Sequence, residues 1–216
     1  MCYTDPLAAV LIAPPGTVGF DIAIGDGQTL GIPPSFGGPY VGFIALREEL
    51  LRKIPGRLVG MTADNKGNRS FTLTLQTREQ HIKREKATSN ICTNHALMAF
   101  AVTVYMAFMG AGGLKSVGLE SAKKAHILAE KLSKIDGFSL ANDQPFLWEF
   151  VLRCPLDAKQ FVKLLKKDNI LPGIPLKKLD KMYGDHELLV CCTEMTADES
   201  IENYIKSAMK SGVERS

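Results

Sequence analysis

The sequence has little net charge, few cysteines and no charged leader at its start. Its 26 Lys and Arg against 23 Asp and Glu leave a formal charge of +3, too small to demand a nucleic-acid or membrane-surface partner. The 5 cysteines form no CxxC pair and no metal-ligand spacing, which favours reduced, cytosolic thiols. No Lys or Arg precedes Pro14, so the apolar run Leu7 to Ala13 lacks the charged region of a signal peptide. We therefore expect a cytoplasmic protein.

Composition also excludes disordered and collagen-like proteins. The chain is 45% hydrophobic and 23% charged, as in ordinary globular proteins, and its 216 residues suit one large domain or two small ones. One uncharged run, Ala96 to Leu114, approaches the length of a membrane span but contains three glycines. We interpret it as a buried helix of a globular core, with no membrane span.

The first part of the chain predicts short strands and an ordered loop. Ala8 to Ala13 and Phe20 to Ile24 are apolar runs ended by turn residues, which is typical of strands. Residues 25–42, GDGQTLGIPPSFGGPYVG, hold six glycines and three prolines with apolar residues between them, which predicts a packed loop. A charged helical turn at Arg47 to Lys53 and a strand at Phe71 to Leu75 are expected next.

The densest polar segment, residues 77–86, has two open interpretations. One is a solvated, ion-paired helix face. The other is an anion site, because Thr88, Ser89 and Asn90 follow at a predicted helix start, where free N–H groups favour a phosphate or carboxylate. Nucleic acid fits less well because no aromatic residues lie between the cations. The basic residues of this cluster are Arg78, His81, Lys83, Arg84 and Lys86.

The rest of the chain predicts an α/β protein in two parts. A helix from Ala96 to Met109 is expected to stop at Gly110 to Gly113, and the order helix, strand, helix, strand, helix follows. This predicts a first part over residues 1–114, with the long buried helix, and a small α/β domain over residues 115–216. Strands are expected at Phe146 to Arg153 and at Leu188 to Cys192, and Asp157 is expected to cap the start of a helix.

The lone cysteines and histidines are expected to be structural. Cys92 and His95 would meet only on a buried helix face, which disfavours a catalytic pair. His126 and His186 stand alone in the sequence, and no metal site is predicted.

Long strings of this sequence resemble a known family. GDGQTLGIPPSFGGPYVGF and LTLQTREQHIKREKATSNICTN are similar to the strongest motifs of the α subunit (subunit 1) of glycine dehydrogenase (decarboxylating), the P-protein of the glycine cleavage system. PGRLVGMTADNKG and LLVCCTEMT extend the likeness. The resemblance covers nearly the whole chain but only about the C-terminal half of the family's subunit, which implies a part of a longer protein or a split reading frame.

The resemblance implies the fold of the aspartate-aminotransferase class of pyridoxal-phosphate enzymes, here the C-terminal part of the large domain plus the small α/β domain. In that fold a lysine after a strand, set in a glycine-rich loop, carries the cofactor as a Schiff base. By the resemblance Gln28 stands at that position, and no lysine precedes Lys53. The chain alone is therefore expected to be inactive, with pyridoxal phosphate held covalently by a lysine-bearing β subunit.

The family further implies a role beside that partner. Thr88, Ser89 and Asn90 would reach the partner's cofactor phosphate, with the basic residues Arg78, His81, Arg84 and Lys86 nearby. The assembled heterotetramer would decarboxylate glycine and pass the aminomethyl group to the lipoyl arm of H-protein, in glycine catabolism. Two alternatives stay open: a degenerate, non-catalytic interaction or regulatory module, and an autonomous pyridoxal-phosphate enzyme that uses another lysine.

Overall fold

The structure, a computed structural model, describes residues 1–87 and 95–213. Contacts divide the chain into two compact units, Met1–Met109 and Gly110–Ser216. The division falls a few residues before the boundary predicted after residue 114.

The first unit contains a small three-stranded sheet. Its strands are β1 (Cys2–Tyr3), β2 (Ile22–Asp26) and β3 (Gly42–Leu46). The order is β1-β2-β3, with β1 parallel and β3 antiparallel to β2. The predicted strand at Phe20 to Ile24 is thus present, but it continues through Gly25, where an added Cβ would lie 2.1 Å from the carbonyl oxygen of Thr4. Close strand packing therefore explains this glycine better than a turn does.

The strand predicted at Ala8 to Ala13 is wrong. This segment forms a 3-10 helix at Ala8–Val10. The carboxylate of Asp5 accepts a hydrogen bond from the backbone N–H of Leu7 at 2.8 Å. The backbone carbonyl oxygen of Asp5 accepts one from the N–H of Ala9 at 3.3 Å. A local turn at Asp5 thus leads into the 3-10 helix, in place of the strand that the apolar run suggested.

A two-stranded hairpin follows the sheet. A 3-10 helix at Glu48–Lys53 matches the predicted turn, and the hairpin pairs β4 (Leu58–Ala63) with β5 (Arg69–Thr74). The strand at Phe71 to Leu75 was predicted, whereas β4 was not. Asp64 closes the turn, since its Oδ1 accepts the N–H groups of Lys66 and Asn68 at 2.8 Å each, and these bonds lower the pKa of its carboxyl group.

The polar segment folds into short helical turns. These are a 3-10 turn at Gln76–Arg78, the helix α1 (Gln80–Lys83) and a 3-10 turn at Arg84–Lys86. Arg84 has a φ of 53°, in the left-handed region that non-glycine residues seldom adopt. This left-handed residue separates α1 from the next turn.

A long helical run, α2 (Ala96–Ser133), is interrupted at Gly110, whose φ of 61° and ψ of 177° are not helical. The predicted stop at Gly110 to Gly113 is therefore a break of one residue, after which the helix resumes. The predicted burial is not found within the chain, because Val102 alone is buried among residues 96–109. By length and composition α2 could also cross a membrane, and 6% of its apolar window is buried.

The second unit is a four-stranded sheet with helices. Its elements are β6 (Ser139–Leu140), β7 (Glu149–Arg153), α3 (Ala158–Lys167), β8 (Ile174–Pro175), β9 (Glu187–Cys191) and α4 (Asp198–Val213). The sheet is antiparallel with order β6-β7-β9-β8. The strands and helices predicted for this region are present. Its core joins Leu128 and Leu132 of α2, Leu152 and Leu188 of the sheet, and Phe161 of α3, all nearly inaccessible to solvent.

Candidate functional site

The glycine-rich loop, residues 27–41, begins where β2 ends, and Gln28 is its second residue. The carboxylate of Asp26 accepts the backbone N–H of Gln28 at 2.7 Å. The carbonyl oxygen of Gln28 in turn accepts the N–H of Ile32 at 3.1 Å. These bonds turn the backbone sharply after the strand and fix the direction of the Gln28 side chain.

The Gln28 side chain is half-buried and engaged with its own loop. Its Nε2 donates to the carbonyl oxygen of Ile32 at 2.6 Å. An amide nitrogen is not a nucleophilic amine and cannot form an imine with an aldehyde. The residue at this position therefore does not fit covalent attachment of an aldehyde cofactor, and the chain has no lysine between Met1 and Arg52 that could replace it.

The first half of the loop is packed, as predicted. Leu30 and Ile32 are buried, and the hydroxyl of Thr29 donates to the carboxylate of Asp5 at 2.8 Å. The N–H of Gly27 donates to the carbonyl oxygen of Val41 at 2.7 Å, which closes the loop at its base. These contacts pack the loop around residue 28 against the rest of the unit.

Two loop glycines allow close contact with α2. A Cβ on Gly27 would lie 3.7 Å from Cγ2 of Val102. A Cβ on Gly31 would lie 2.4 Å from the ring of Tyr105, and the φ of Gly31 is 84°. The loop backbone is thus in direct contact with the face of α2 that carries Val102 and Tyr105. A side chain at residue 31 would prevent this contact.

The tip of the loop, residues 35–38, has an unusual backbone conformation and an exposed aromatic side chain. Residues 35–38 all have positive φ, the peptide bond Gly38–Pro39 is cis, and the Tyr40 hydroxyl donates to the carbonyl oxygen of Pro34 at 2.7 Å. Phe36 is fully exposed, so the packing expected for this aromatic side chain is not found within the chain.

Sequence reasoning missed the two carboxylates that hold the loop, Asp5 and Asp26. The signal for Asp26 was available, because an aspartate two residues before a turn residue often caps the backbone there. Asp5 could not be recognised, since its partner Thr29 lies 24 residues away.

The basic cluster lies in the helical turns around α1. Arg78 ends the first 3-10 turn, and the side chains of His81, Arg84 and Lys86 are exposed. An exposed position agrees with both sequence interpretations, a solvated face and a ligand-facing patch. Thr88, Ser89, Asn90 and Cys92 lie outside the described residues, so the anion site expected there stays a prediction.

Two cysteines and two histidines of the second unit have structural surroundings. Burial raises the pKa of Cys154 to about 12 and also raises that of Cys192, so both thiols stay protonated and unreactive. His126 stacks on Phe146, with ring centroids 4.1 Å apart, and Nδ1 of His186 bonds the carbonyl oxygen of Cys154 at 3.0 Å. Among residues 1–87 and 95–213 there is no group of three potential metal ligands.

An open cavity of about 710 Å³ lies in the second unit, between the turn after α3, the end of β9 and α4. Its acidic side chain, Asp168, already accepts a hydrogen bond from Ser207 at 2.5 Å and lies 3.9 Å from the ammonium of Lys210. Gln28 does not line this cavity.

Comparisons with known proteins agree with the resemblance. The family model described as glycine cleavage system P-protein matches residues 1–208. A relative from Thermomicrobium roseum, named probable glycine dehydrogenase (decarboxylating) subunit 1, is 47% identical over 203 residues, 94% of this chain and 45% of the relative. The chain thus spans about half the length of the curated relatives it matches.

Solved structures agree as well. A glycine decarboxylase (P-protein) in inhibitor-bound form matches with a TM-score of 0.89 and 38% identity, over 96% of this chain and 47% of that one. A C-DES variant with glycine covalently linked to its PLP cofactor matches with a TM-score of 0.56 and 15% identity, over 90% and 47%. The second likeness supports the predicted pyridoxal-phosphate-enzyme fold and nothing finer.

Proposed function

This chain belongs to the glycine cleavage system P-protein family, and from that premise we propose that it acts as part of subunit 1 of a glycine dehydrogenase (decarboxylating). The observation that carries the proposal is the match over residues 1–208, together with the 47% identity to a subunit-1 relative. The proposed complex is a cytoplasmic heterotetramer and an oxidoreductase that acts on glycine.

In this proposal the chain itself does not carry the cofactor. By the resemblance Gln28 stands at the Schiff-base position, just after β2 ends, and its amide is hydrogen-bonded to Ile32 within the loop. Pyridoxal phosphate would be held by a lysine-bearing β subunit. In the complex glycine would lose its carboxylate as carbon dioxide, and pyridoxal phosphate would supply the electron sink. The aminomethyl group would then bond to one sulfur of the lipoyl disulfide of H-protein, whose S–S bond breaks and is reduced to leave the other sulfur as a thiol.

The contribution proposed for this chain is to complete the partner's active site. Thr88, Ser89 and Asn90 would donate hydrogen bonds to the cofactor phosphate, and their hydroxyl and amide groups suit an anion. The exposed basic side chains His81, Arg84 and Lys86, with Arg78 beside them in sequence, would add positive charge.

Borohydride trapping tests whether the chain forms a Schiff base. The purified chain is mixed with pyridoxal phosphate, reduced, and digested for mass spectrometry. We expect no specific lysine adduct, because Gln28 has no amine to form one. A stoichiometric adduct on one lysine would contradict the proposal and favour an autonomous enzyme.

A double substitution tests the bracing role. Thr88→Ala with Asn90→Ala should release pyridoxal phosphate from the assembled complex at least about tenfold more readily, since a charge-assisted phosphate bond contributes roughly 1.5–3 kcal/mol. Thr72→Ala, an exposed threonine of the hairpin, is the matched control. Dialysis followed by cofactor absorbance measures retention, and equal retention in both variants would remove the bracing role.

A further inference from the structure

The open cavity of the second unit has the size and the apolar base of a small-molecule site. Its volume of about 710 Å³ falls in the range of roughly 300–1,000 Å³ that is typical of such sites. Leu128, Val190 and Ile201 line it and are buried. The hydroxyl of Tyr204, another buried lining residue, donates to the carbonyl oxygen of Pro172 at 3.0 Å. The deep part of the cavity therefore offers an apolar surface to a ligand.

One wall of the cavity is a polar stripe along α4. Ser200, Asn203, Ser207 and Lys210 line the cavity, and their spacing of three, four and three residues places them on one side of the helix. The hydroxyl of Ser207 donates to Asp168. The hydroxyl of Ser200 and the amide of Asn203 are exposed and bond to no other residue that the structure describes. Both groups are thus available to donate hydrogen bonds to a ligand.

The charges that line the cavity favour an anion with a single negative charge. Lys206 and Lys210, one helical turn apart, contribute two ammonium groups, and Asp168 contributes one carboxylate that lies 3.9 Å from the ammonium of Lys210. Glu202, one turn before Lys206, forms its salt bridge with Lys131 instead. Lys206 forms no salt bridge with any residue that the structure describes. One positive charge is therefore left for a ligand.

We infer that this cavity binds a small organic carboxylate with an apolar chain. Asn203 lies one turn from both Ser200 and Lys206, so these three donors form a continuous row along α4. A carboxylate on this row would accept charge-assisted hydrogen bonds, and the apolar chain would cover Val190 and Ile201. The cavity lies within the second unit, and this binding site is independent of the enzymatic role proposed above.

A phosphate ion is the poorer ligand. It has no apolar part to cover the base of the cavity, and the carboxylate of Asp168 would repel its second negative charge. An alcohol with the same apolar chain would cover the base but would leave the ammonium of Lys206 without a partner. These two compounds therefore separate the contributions of charge and of apolar contact.

Titration with hexanoate tests the inference on the full chain, labelled with nitrogen-15. Hexanoate is the probe, and amide chemical shifts measure its binding. We expect saturable binding in the millimolar range, as suits so small a ligand, with shift changes concentrated in residues 168–171 and 200–210. Hexan-1-ol and inorganic phosphate should each bind at least about tenfold more weakly, since each lacks one of the two contacts.

Substitutions at one exposed lysine locate the carboxylate. Lys206→Met should weaken hexanoate binding at least about tenfold, whereas Lys206→Arg should retain most of it because the positive charge remains. Lys163→Met, at an exposed lysine of α3 that does not line the cavity, is the matched control and should bind like the unchanged chain. Circular dichroism checks that each variant is folded.

Four results would overturn the inference. These are binding of hexanoate that does not saturate, equal affinity for hexan-1-ol, equal affinity for inorganic phosphate, and unchanged affinity in Lys206→Met. The titration contains no glycine, pyridoxal phosphate or partner subunit. A failure of the proposed enzymatic role therefore leaves its result unaffected.

Discussion

Gly31 illustrates, at the scale of single residues, how closely the glycine-rich loop lies against α2. Gly31→Ala should lower the free energy of unfolding by about 2 kcal/mol more than Gly67→Ala does. Both glycines have a similar positive φ, 84° and 81°, but a Cβ would meet Tyr105 only at residue 31, since Gly67 has no neighbour within 4 Å. Urea denaturation followed by circular dichroism measures the difference, and equal losses would contradict the loop contact.

Buried titratable groups in the second unit predict a loss of stability in alkali. Burial raises the pKa of Cys154 from 9.0 to about 12, and it also raises the pKa of Cys192 and Tyr204. Above about pH 9 for the thiols, and above about pH 10 for Tyr204, the unfolded chain releases these protons while the folded chain retains them. The stabilisation is therefore complete below pH 9 and declines as the pH rises toward 12.

Cys154→Ala checks this dependence. The unfolding free energy of the variant should fall less steeply between pH 9 and 11, by up to about 1.4 kcal/mol per pH unit, since one titrating group has been removed. Fluorescence of Trp148, half-buried against the core of the second unit, reports the unfolding. Identical slopes for the two proteins would show that the Cys154 thiol does not contribute.

At the scale of secondary structure, Asp157 begins α3 as an N-cap. Its carboxylate accepts the N–H groups of Lys159 and Gln160 at 2.8 and 3.2 Å. Asp157→Ala should cost about 1 kcal/mol, and Asp157→Asn should retain most of the stability, because asparagine caps nearly as well. Asp143→Ala, at an exposed loop position of the same unit, is the control. Thermal unfolding would contradict the cap if the two alanine variants melted alike.

Elements with strong local signals could be predicted from the sequence. Asp157 followed by apolar residues at helical spacing predicted α3, and the apolar runs before Pro155 and after His186 predicted β7 and β9. The run Ala8 to Ala13 looked equally strand-like, but it begins with a 3-10 helix that follows a local turn at Asp5. The extent of the break in α2 was also not predictable, since Gly110, Gly112 and Gly113 differ in conformation but not in residue type.

At the scale of the whole molecule, much of the candidate site could be predicted only from the resemblance to a known family and not from local sequence patterns. Composition and spacing predicted a packed glycine-rich loop, but the meaning of Gln28 came from its place in the family motif. The carboxylate of Asp5 meets Thr29 from 24 residues away, a contact that only the folded chain brings together. The exposure of Phe100 and Phe108 was unforeseen because an apolar sequence shows that a helix should be covered, not what covers it.

The assignment to a glycine dehydrogenase has one decisive test. The chain is co-expressed with a lysine-bearing β subunit, the complex is isolated through a tag on the chain, and carbon dioxide release from glycine is assayed with lipoylated H-protein. We expect a complex that releases carbon dioxide faster than the β subunit does alone. A chain that neither binds the β subunit nor increases its activity would contradict the assignment and leave the interaction-module alternative in its place.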